Sequence, residues 1–345
     1  MRGVKAPSAI LEPRGSVRLD DYLVDIAWST DSRRLAIAGG EGKVALAAFD
    51  GSKVTAREIG SHGMGALAVA WQPRGDTFVS SGQDSALVAW DGIDGTELHR
   101  VRPAMAWTEC LTYSPDGTRL ATAAGKQIFL WSSALEPMAK LAPQSHAIAA
   151  LAFDRAGRDL AAASQGGITL YRESPQPQQR RLEWSAACLT TAFSPNGRVI
   201  ATGTQDGSVH FWYLADGRDS QMRGYPAKVA VTVWTHDSRY LATIAGDTLV
   251  AWDFGGKGPE GSRPVQLRGH TDRIECLAAQ PGGNHLVSGG CDWRVSLWLP
   301  GKSPQALDAH LMDSEPSRIV WSPDGRYVAV GERKGKLSIF ELVRL

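Results

Sequence analysis

Thiols and imidazoles are the side chains in this sequence with the most chemistry to offer. There are four Cys and eight His in 345 residues. His270, Cys276 and Cys291 fall within one stretch, and a Cys/His set of that kind suits a soft metal ion. Cys276 and Cys291 are therefore the candidate metal ligands. Against them, a free Cys usually acts as a small apolar filler, and Cys188 reads as core. No Cys-x-x-Cys or His-Glu-x-x-His occurs. Gly301-Lys302-Ser303 resembles the end of a phosphate-binding loop, but Ser296 stands where the earlier Gly is needed and no helix follows. No Gly-x-Ser-x-Gly elbow is present, and no paired acid and base suggests itself. The expectation is a non-catalytic protein that needs no metal and no cofactor.

Charge adds a second exclusion. Lys plus Arg number 37 and Asp plus Glu 36, a net charge of +1. Neither nucleic acid nor an anionic membrane is expected as partner, because both select a basic surface. Four Cys in this length form no disulfide framework. No apolar segment of membrane-spanning or leader length is found, so the expected location is the cytoplasm. The Ala-, Gly- and Arg-rich style has a bacterial look. Twelve Trp and 37 Gly are the unusual entries in the composition.

A repeat explains them. A short apolar run ends in an aromatic, then comes a polar turn, as in Tyr113-Ser114-Pro115-Asp116-Gly117, Phe193-Ser194-Pro195-Asn196-Gly197 and Trp321-Ser322-Pro323-Asp324-Gly325. These anchors fall at Trp28, Trp71, Tyr113, Phe153, Phe193, Trp234, Ala279 and Trp321, 40 to 45 residues apart. A second aromatic series keeps step with them: Phe49, Trp90, Trp131, Tyr171, Trp212, Trp252, Trp298 and Phe340. Each unit contains several strand-length runs separated by turns and no helical periodicity. Units of about 40 to 45 residues with four strands each read as propeller blades. Strands buried on both faces carry continuous apolar runs.

Between residues 15 and 342 the chain resembles the WD40-repeat family. Trp90-Asp91 and Trp252-Asp253 are the name-giving pairs, and Gly269-His270 matches the Gly-His element. The resemblance implies a closed, all-β propeller. Eight anchors imply eight four-stranded blades; seven, commoner in the family, is the rival count. It also implies hydrogen-bonded tetrads of His, Ser/Thr, Asp and Trp: His62, Ser80, Asp84 and Trp90 in the second repeat, and His270, Ser288, Asp292 and Trp298 in the seventh. The fifth keeps Thr202, Asp206 and Trp212, with Trp184 in place of the His.

The last repeat lacks a fourth strand before Leu345, while Gly15–Asp20 has no other use. That segment is expected to complete the last blade and close the ring, which leaves residues 1–12 as a flexible tail and 13–345 as one domain. Loose connections are expected at 173–179 and 255–261.

Packing accounts for nine of the Trp. The other three, Trp107, Trp184 and Trp293, fall in connections that in the family open on one rim. Exposed Trp on such a rim suits binding; the alternative is that each ring caps its own blade. Glu109, Asp272, Arg273, Arg294 and Arg318 share that rim, and Glu332, Arg333 and Lys334 form another of its turns. The expected function is a protein-interaction adaptor, a monomer by itself, that holds a protein or peptide partner through these residues. Alternatives are a metal-linked accessory using the seventh-repeat thiols and, last, an enzyme at the channel mouth.

Overall fold

The computed structural model describes residues 8–172, 178–256 and 258–345. Its described residues contain no helix; they form eight antiparallel sheets arranged in a ring. The first blade shows the plan: Leu23–Trp28 is innermost, followed outward by Arg34–Gly39, Lys43–Phe49 and Val54–Ser61. Each inner strand packs against that of the next blade, and the eighth packs against the first. The count is eight, and the seven-bladed alternative is excluded.

The middle strands are buried on both faces, as in Arg34–Gly39 and Thr77–Gly82, whereas outer strands such as Pro137–Lys140 are exposed. Small and large side chains divide the wedge accordingly. Ala36, Ala38, Ala45 and Ala47 let sheets approach closely, while aromatics fill the wider gaps. Between the first and last blades, Phe49 stands edge-on to Trp28 at 6.1 Å and to Tyr327 at 5.0 Å.

The recurrent polar turn has a physical cause. In three of its copies the Ser114, Ser194 and Ser322 hydroxyls donate to Asp116, Asn196 and Asp324. The same acceptors take backbone N–H groups two residues on, from Thr118, Arg198 and Arg326. Gly117, Gly197 and Gly325 then sit at φ near 70°, where a side chain would be strained.

The last blade is Pro316–Trp321, Tyr327–Glu332 and Lys336–Arg344, completed outside by Ala9–Arg18. Closure therefore comes from the amino-terminal segment, but it begins earlier than Gly15. The register runs from Ala9 opposite Arg344 to Arg18 opposite Lys336, with a bulge between Pro13 and Gly15. Residues 9–12, expected in the tail, are in the ladder, because Ala9 and Leu11 are almost fully buried against the seventh and eighth blades. Residues 1–7 lie outside the described residues.

The fourth blade departs from the plan. Its second and third strands are one run, Asp159–Arg172, which turns at Gly166 and Gly167 with φ of 86° and 124°. One arm pairs with Ile148–Phe153, the other with Gln178–Ala187. Of the expected loose connections, 173–177 and Lys257 lie outside the described residues, while Gln178 and Gln179 belong to the outer strand.

Candidate functional site

Alternating strand directions bring two kinds of connection to one rim: outer strand to next inner strand, and second strand to third. This upper rim carries the tetrads and the candidate binding residues.

In the second blade His62 Nδ1 lies 2.9 Å from Asp84 Oδ1, and His62 Nε2 lies 2.9 Å from Ser80 Oγ. Trp90 Nε1–H donates to the same hydroxyl at 2.8 Å. A carboxylate only accepts, so Nδ1 carries the proton and the Ser80 hydroxyl donates to Nε2. The seventh blade repeats this with His270, Asp292, Ser288 and Trp298 at 2.8 to 3.0 Å. Ser288 is fully buried. Replacing it by Ala strands both His270 Nε2 and Trp298 Nε1. Each orphaned group costs about 1–3 kcal/mol, so Ser288→Ala is expected to lose about 2–6 kcal/mol in urea unfolding. A loss below about 0.5 kcal/mol, typical of an ordinary surface change, would show the tetrad to be inert.

The second-blade tetrad also gives a pH prediction. Burial holds the His62 pKa below its ordinary 6.5, and hydrogen bonding with the histidine lowers Asp84 against its own burial. As pH falls below about 6.5 the unfolded imidazole protonates first, so folding stability drops; protonation of Asp84 removes more at lower pH. The melting temperature is expected to fall between pH 7 and 5, and less steeply in His62→Gln. Equal slopes would contradict this account.

In three further blades the position nine residues before the anchor occupies the hub although it is not His, which sequence reading had not recognised. In the sixth blade it is Tyr225, whose hydroxyl accepts from Trp252 Nε1 at 2.8 Å and bonds Thr243 at 2.7 Å. In the fourth it is Gln144, which bonds Tyr171 and Thr169. The nine-residue offset was the available signal. In the fifth it is Trp184, stacked on His210 at 3.8 Å with an interplanar angle of 20°. Trp184 is half-buried at the end of an outer strand, with its Nε1 enclosed and unpartnered. It is therefore a hub filler and not an exposed binding residue. Thr202 bonds the Thr190 carbonyl, and Asp206 accepts from Thr204 and Ser208, so that blade has no tetrad.

The thiols are turned toward the backbone and neighbouring side chains. Cys276 Sγ faces the Gly289 and Pro316 carbonyls at 3.8 and 3.9 Å, and burial raises its pKa to about 12. Cys291 donates to Glu275 at 3.3 Å and receives Arg273 at 3.8 Å. A metal needs deprotonated sulfur, and burial opposes that at both. Among the described residues no group of three His, Cys, Asp or Glu side chains gathers as a metal site.

Trp107 and Trp293 are 51 % and 42 % exposed. Three more apolar side chains on the same rim escaped sequence reading: Tyr22, Met64 and Met105, at 49, 54 and 97 %. All three lie in outer-to-inner connections, which was the signal that Trp counting overlooked. Trp293 belongs to the seventh blade, Tyr22 to the eighth-to-first connection, Met64 to the next, and Met105 and Trp107 to the one after. They mark one continuous half of the rim. Trp107 and Trp293 themselves stand four blades apart, at its two ends.

Trp293 is held in a left-handed conformation, φ 62°. At the same place in the turn the first, fifth and eighth blades use Gly42, Gly207 and Gly335. Lys334 Nζ lies 5.6 Å over its ring. Arg294, Asp272 and Glu109 are exposed beside or along the arc. Two expected contact residues are engaged within the protein. Arg273 pairs with Glu275, and Arg318 pairs with Asp25 at 2.8 Å, joining the last blade to the first. Glu332 is buried, not a rim charge; its carboxylate accepts the Ser314 N–H at 2.7 Å.

The fold defines an eight-bladed β-propeller, and its tetrads resemble those of WD40 repeats. The family model "WD domain, G-beta repeat" matches residues 54–91, 106–132, 180–213 and 261–298. Two of these matches start at or before an outer strand, a third starts within one, and all three end with the next blade's third strand, so the repeat is out of phase with the blade. The chain is 30 % identical to THO complex subunit 3 of Arabidopsis thaliana over 126 residues, 35 % of this chain and 39 % of that protein. It is 25 % identical to Protein FIZZY-RELATED 2 of the same plant over 304 residues, 86 % of this chain and 53 % of that protein. The chain thus spans about half or less of the length of these relatives. Such relatives are eukaryotic and lend the bacterial impression no support. The crystal structure of the computationally designed Ika8 protein has the same fold, with a TM-score of 0.79 at 18 % identity, over 96 % of this chain and 99 % of that one.

Proposed function

We propose that this protein is a non-catalytic adaptor whose upper rim, from the seventh blade round to the third, holds a protein partner. Trp293 carries the reading. A bulky side chain at φ 62° costs about 1–2 kcal/mol relative to glycine, and three other blades avoid that cost. The ring is nevertheless 42 % exposed, so packing alone does not repay its placement. An exposed aromatic beside Arg294 and Lys334 has the chemistry of a binding hot spot. Tyr22, Met64, Met105 and Trp107 extend it as apolar area that a partner would cover.

The relatives support the same class of role. One is named as a subunit of the THO complex, and another, 28 % identical over 27 % of this chain, as a cofactor of the APC complex. No acid–base pair or metal triad among the described residues favours chemistry at the channel mouth. The partner is a protein rather than nucleic acid, and the free chain is a cytoplasmic monomer. Affinity purification from the native host with mass spectrometry, comparing wild type with a Trp293/Arg294 double alanine variant, tests the proposal. A partner set identical for both would remove it.

A further inference from the structure

The repeats provide their own comparison on the lower rim, in the clefts between neighbouring blades. Six residues after the anchor, the first blade carries Arg34 and the third Arg119. Arg34 crosses to the second blade. Its guanidinium lies 5.9 Å from the Trp71 ring centroid, donates to the Gly92 carbonyl at 3.2 Å and pairs with Asp76 at 2.9 Å. Arg119 crosses to the fourth blade, lies 5.5 Å from the Phe153 ring and donates to the Gly157 carbonyl. In both clefts a guanidinium fills the space and covers the next blade's anchor aromatic.

In the fourth blade that position is Asp159. A short carboxylate neither spans the gap nor stacks on a ring. It turns back to Arg172 of its own blade, at 2.5 Å. The cleft toward the fifth blade stays open as a cavity of about 630 Å³, and Phe193, the next anchor, forms part of its wall. Pro195 and Leu214 continue the apolar side.

Arginine outnumbers carboxylate around this cavity. Asp154 is occupied by the N–H groups of Arg158 and Asp159, and Asp159 is neutralised by Arg172. Arg155 and Arg158 are exposed and form no ion pair among the described residues. Among the described residues Arg180 donates only to the Leu214 carbonyl, at 3.1 Å. Four guanidiniums, Arg155, Arg158, Arg172 and Arg180, thus line the cavity against the two carboxylates of Asp154 and Asp159, an excess of two positive charges among the described residues. Guanidinium groups recognise carboxylates by paired, charge-assisted hydrogen bonds, and the volume suits a few side chains rather than a folded domain.

We propose that the cleft between the fourth and fifth blades is a second binding site, which takes an extended acidic peptide segment. Its carboxylates lie on Arg155, Arg158 and Arg180, and an apolar side chain between them rests on Phe193, where the first-to-second and third-to-fourth clefts hold their own arginine. This site is on the rim opposite Trp293 and is independent of the adaptor surface.

Fluorescence polarisation on the full chain tests it, with a short fluorescein-labelled peptide of alternating Glu and Phe as probe and alternating Lys and Phe as control. Saturable binding of the acidic probe alone is expected, weakening as added salt shortens the screening length. Arg155→Glu with Arg158→Glu, both at exposed turn positions, is expected to weaken it about tenfold or more. Asp159→Arg adds positive charge but fills the cleft as Arg34 and Arg119 do, so it too is expected to lose binding, with folding checked by melting. Trp293→Ala is expected to bind the probe normally. No saturable binding, equal binding of the Lys peptide, or tighter binding by Asp159→Arg would each overturn the site. Self-association that depends on Arg155 and Arg158 and is not competed by the probe would assign the cleft to a second copy, and overturn it as well.

Discussion

A chain lacking residues 1–18 is expected to be recovered as aggregate instead of as a closed ring. Its loss uncovers the whole of Lys336–Arg344 as a free edge, since every paired residue from Ala9 to Arg18 lies against that strand. It also removes Ala9 and Leu11 from the core between the seventh and eighth blades. Leu11 is anchored twice over, by burial and by its N–H, which donates to Asp308 at 2.7 Å. Arg14 is lost from Glu341, and Arg18 from the Lys334 carbonyl. A ladder of this length and its buried side chains together approach the whole stability of a domain, about 5–15 kcal/mol. An unpaired, apolar edge is moreover a template for intermolecular pairing. Size-exclusion chromatography and thermal melting read the outcome, and a synthetic peptide of residues 8–20 added in trans is expected to restore part of the soluble ring. A soluble truncated monomer melting within a few degrees of the full chain would refute closure as the source of stability.

Trp293→Ala together with Arg294→Ala is expected to weaken the partner isolated by wild type by about 2–4 kcal/mol, roughly 30- to 1000-fold. The magnitude follows from what a partner would cover: an indole already half-exposed and fixed by its turn, with Lys334 above it and a free guanidinium beside it. Preset geometry means little entropy is lost on contact. Stability is expected to change by less than about 1 kcal/mol, as for surface residues generally. Trp293→Gly separates binding from capping more sharply. Glycine relieves the left-handed strain, so that variant is expected to lose the partner while melting at or slightly above the wild-type temperature. If the ring mainly caps its blade, both variants melt early and binding falls only in proportion.

The period itself was legible because each blade must place an aromatic at the same depth of the wedge. Two aromatic series in step therefore reported the blade number. The tetrads were legible through the resemblance to a known repeat, because fixed strand lengths put His62, Ser80, Asp84 and Trp90 at offsets repeated by His270, Ser288, Asp292 and Trp298. Rim residues were less legible. Trp107, Trp184 and Trp293 look alike in sequence, yet Trp184 finds His210 to stack on, whereas the other two remain exposed. Arg318 and Arg273 look as free as Arg294 until Asp25 and Glu275 come into reach.

The sequence by itself determined the all-β ring of eight like units and, through its resemblance to a known repeat, the two His-centred tetrads, because these depend on spacing within one repeat. Tertiary structure alone decided which aromatics stay exposed, which arginines are already paired, and which cleft is left unfilled. Those outcomes depend on what the neighbouring blade presents across the gap, and that neighbour is some forty residues away in the chain.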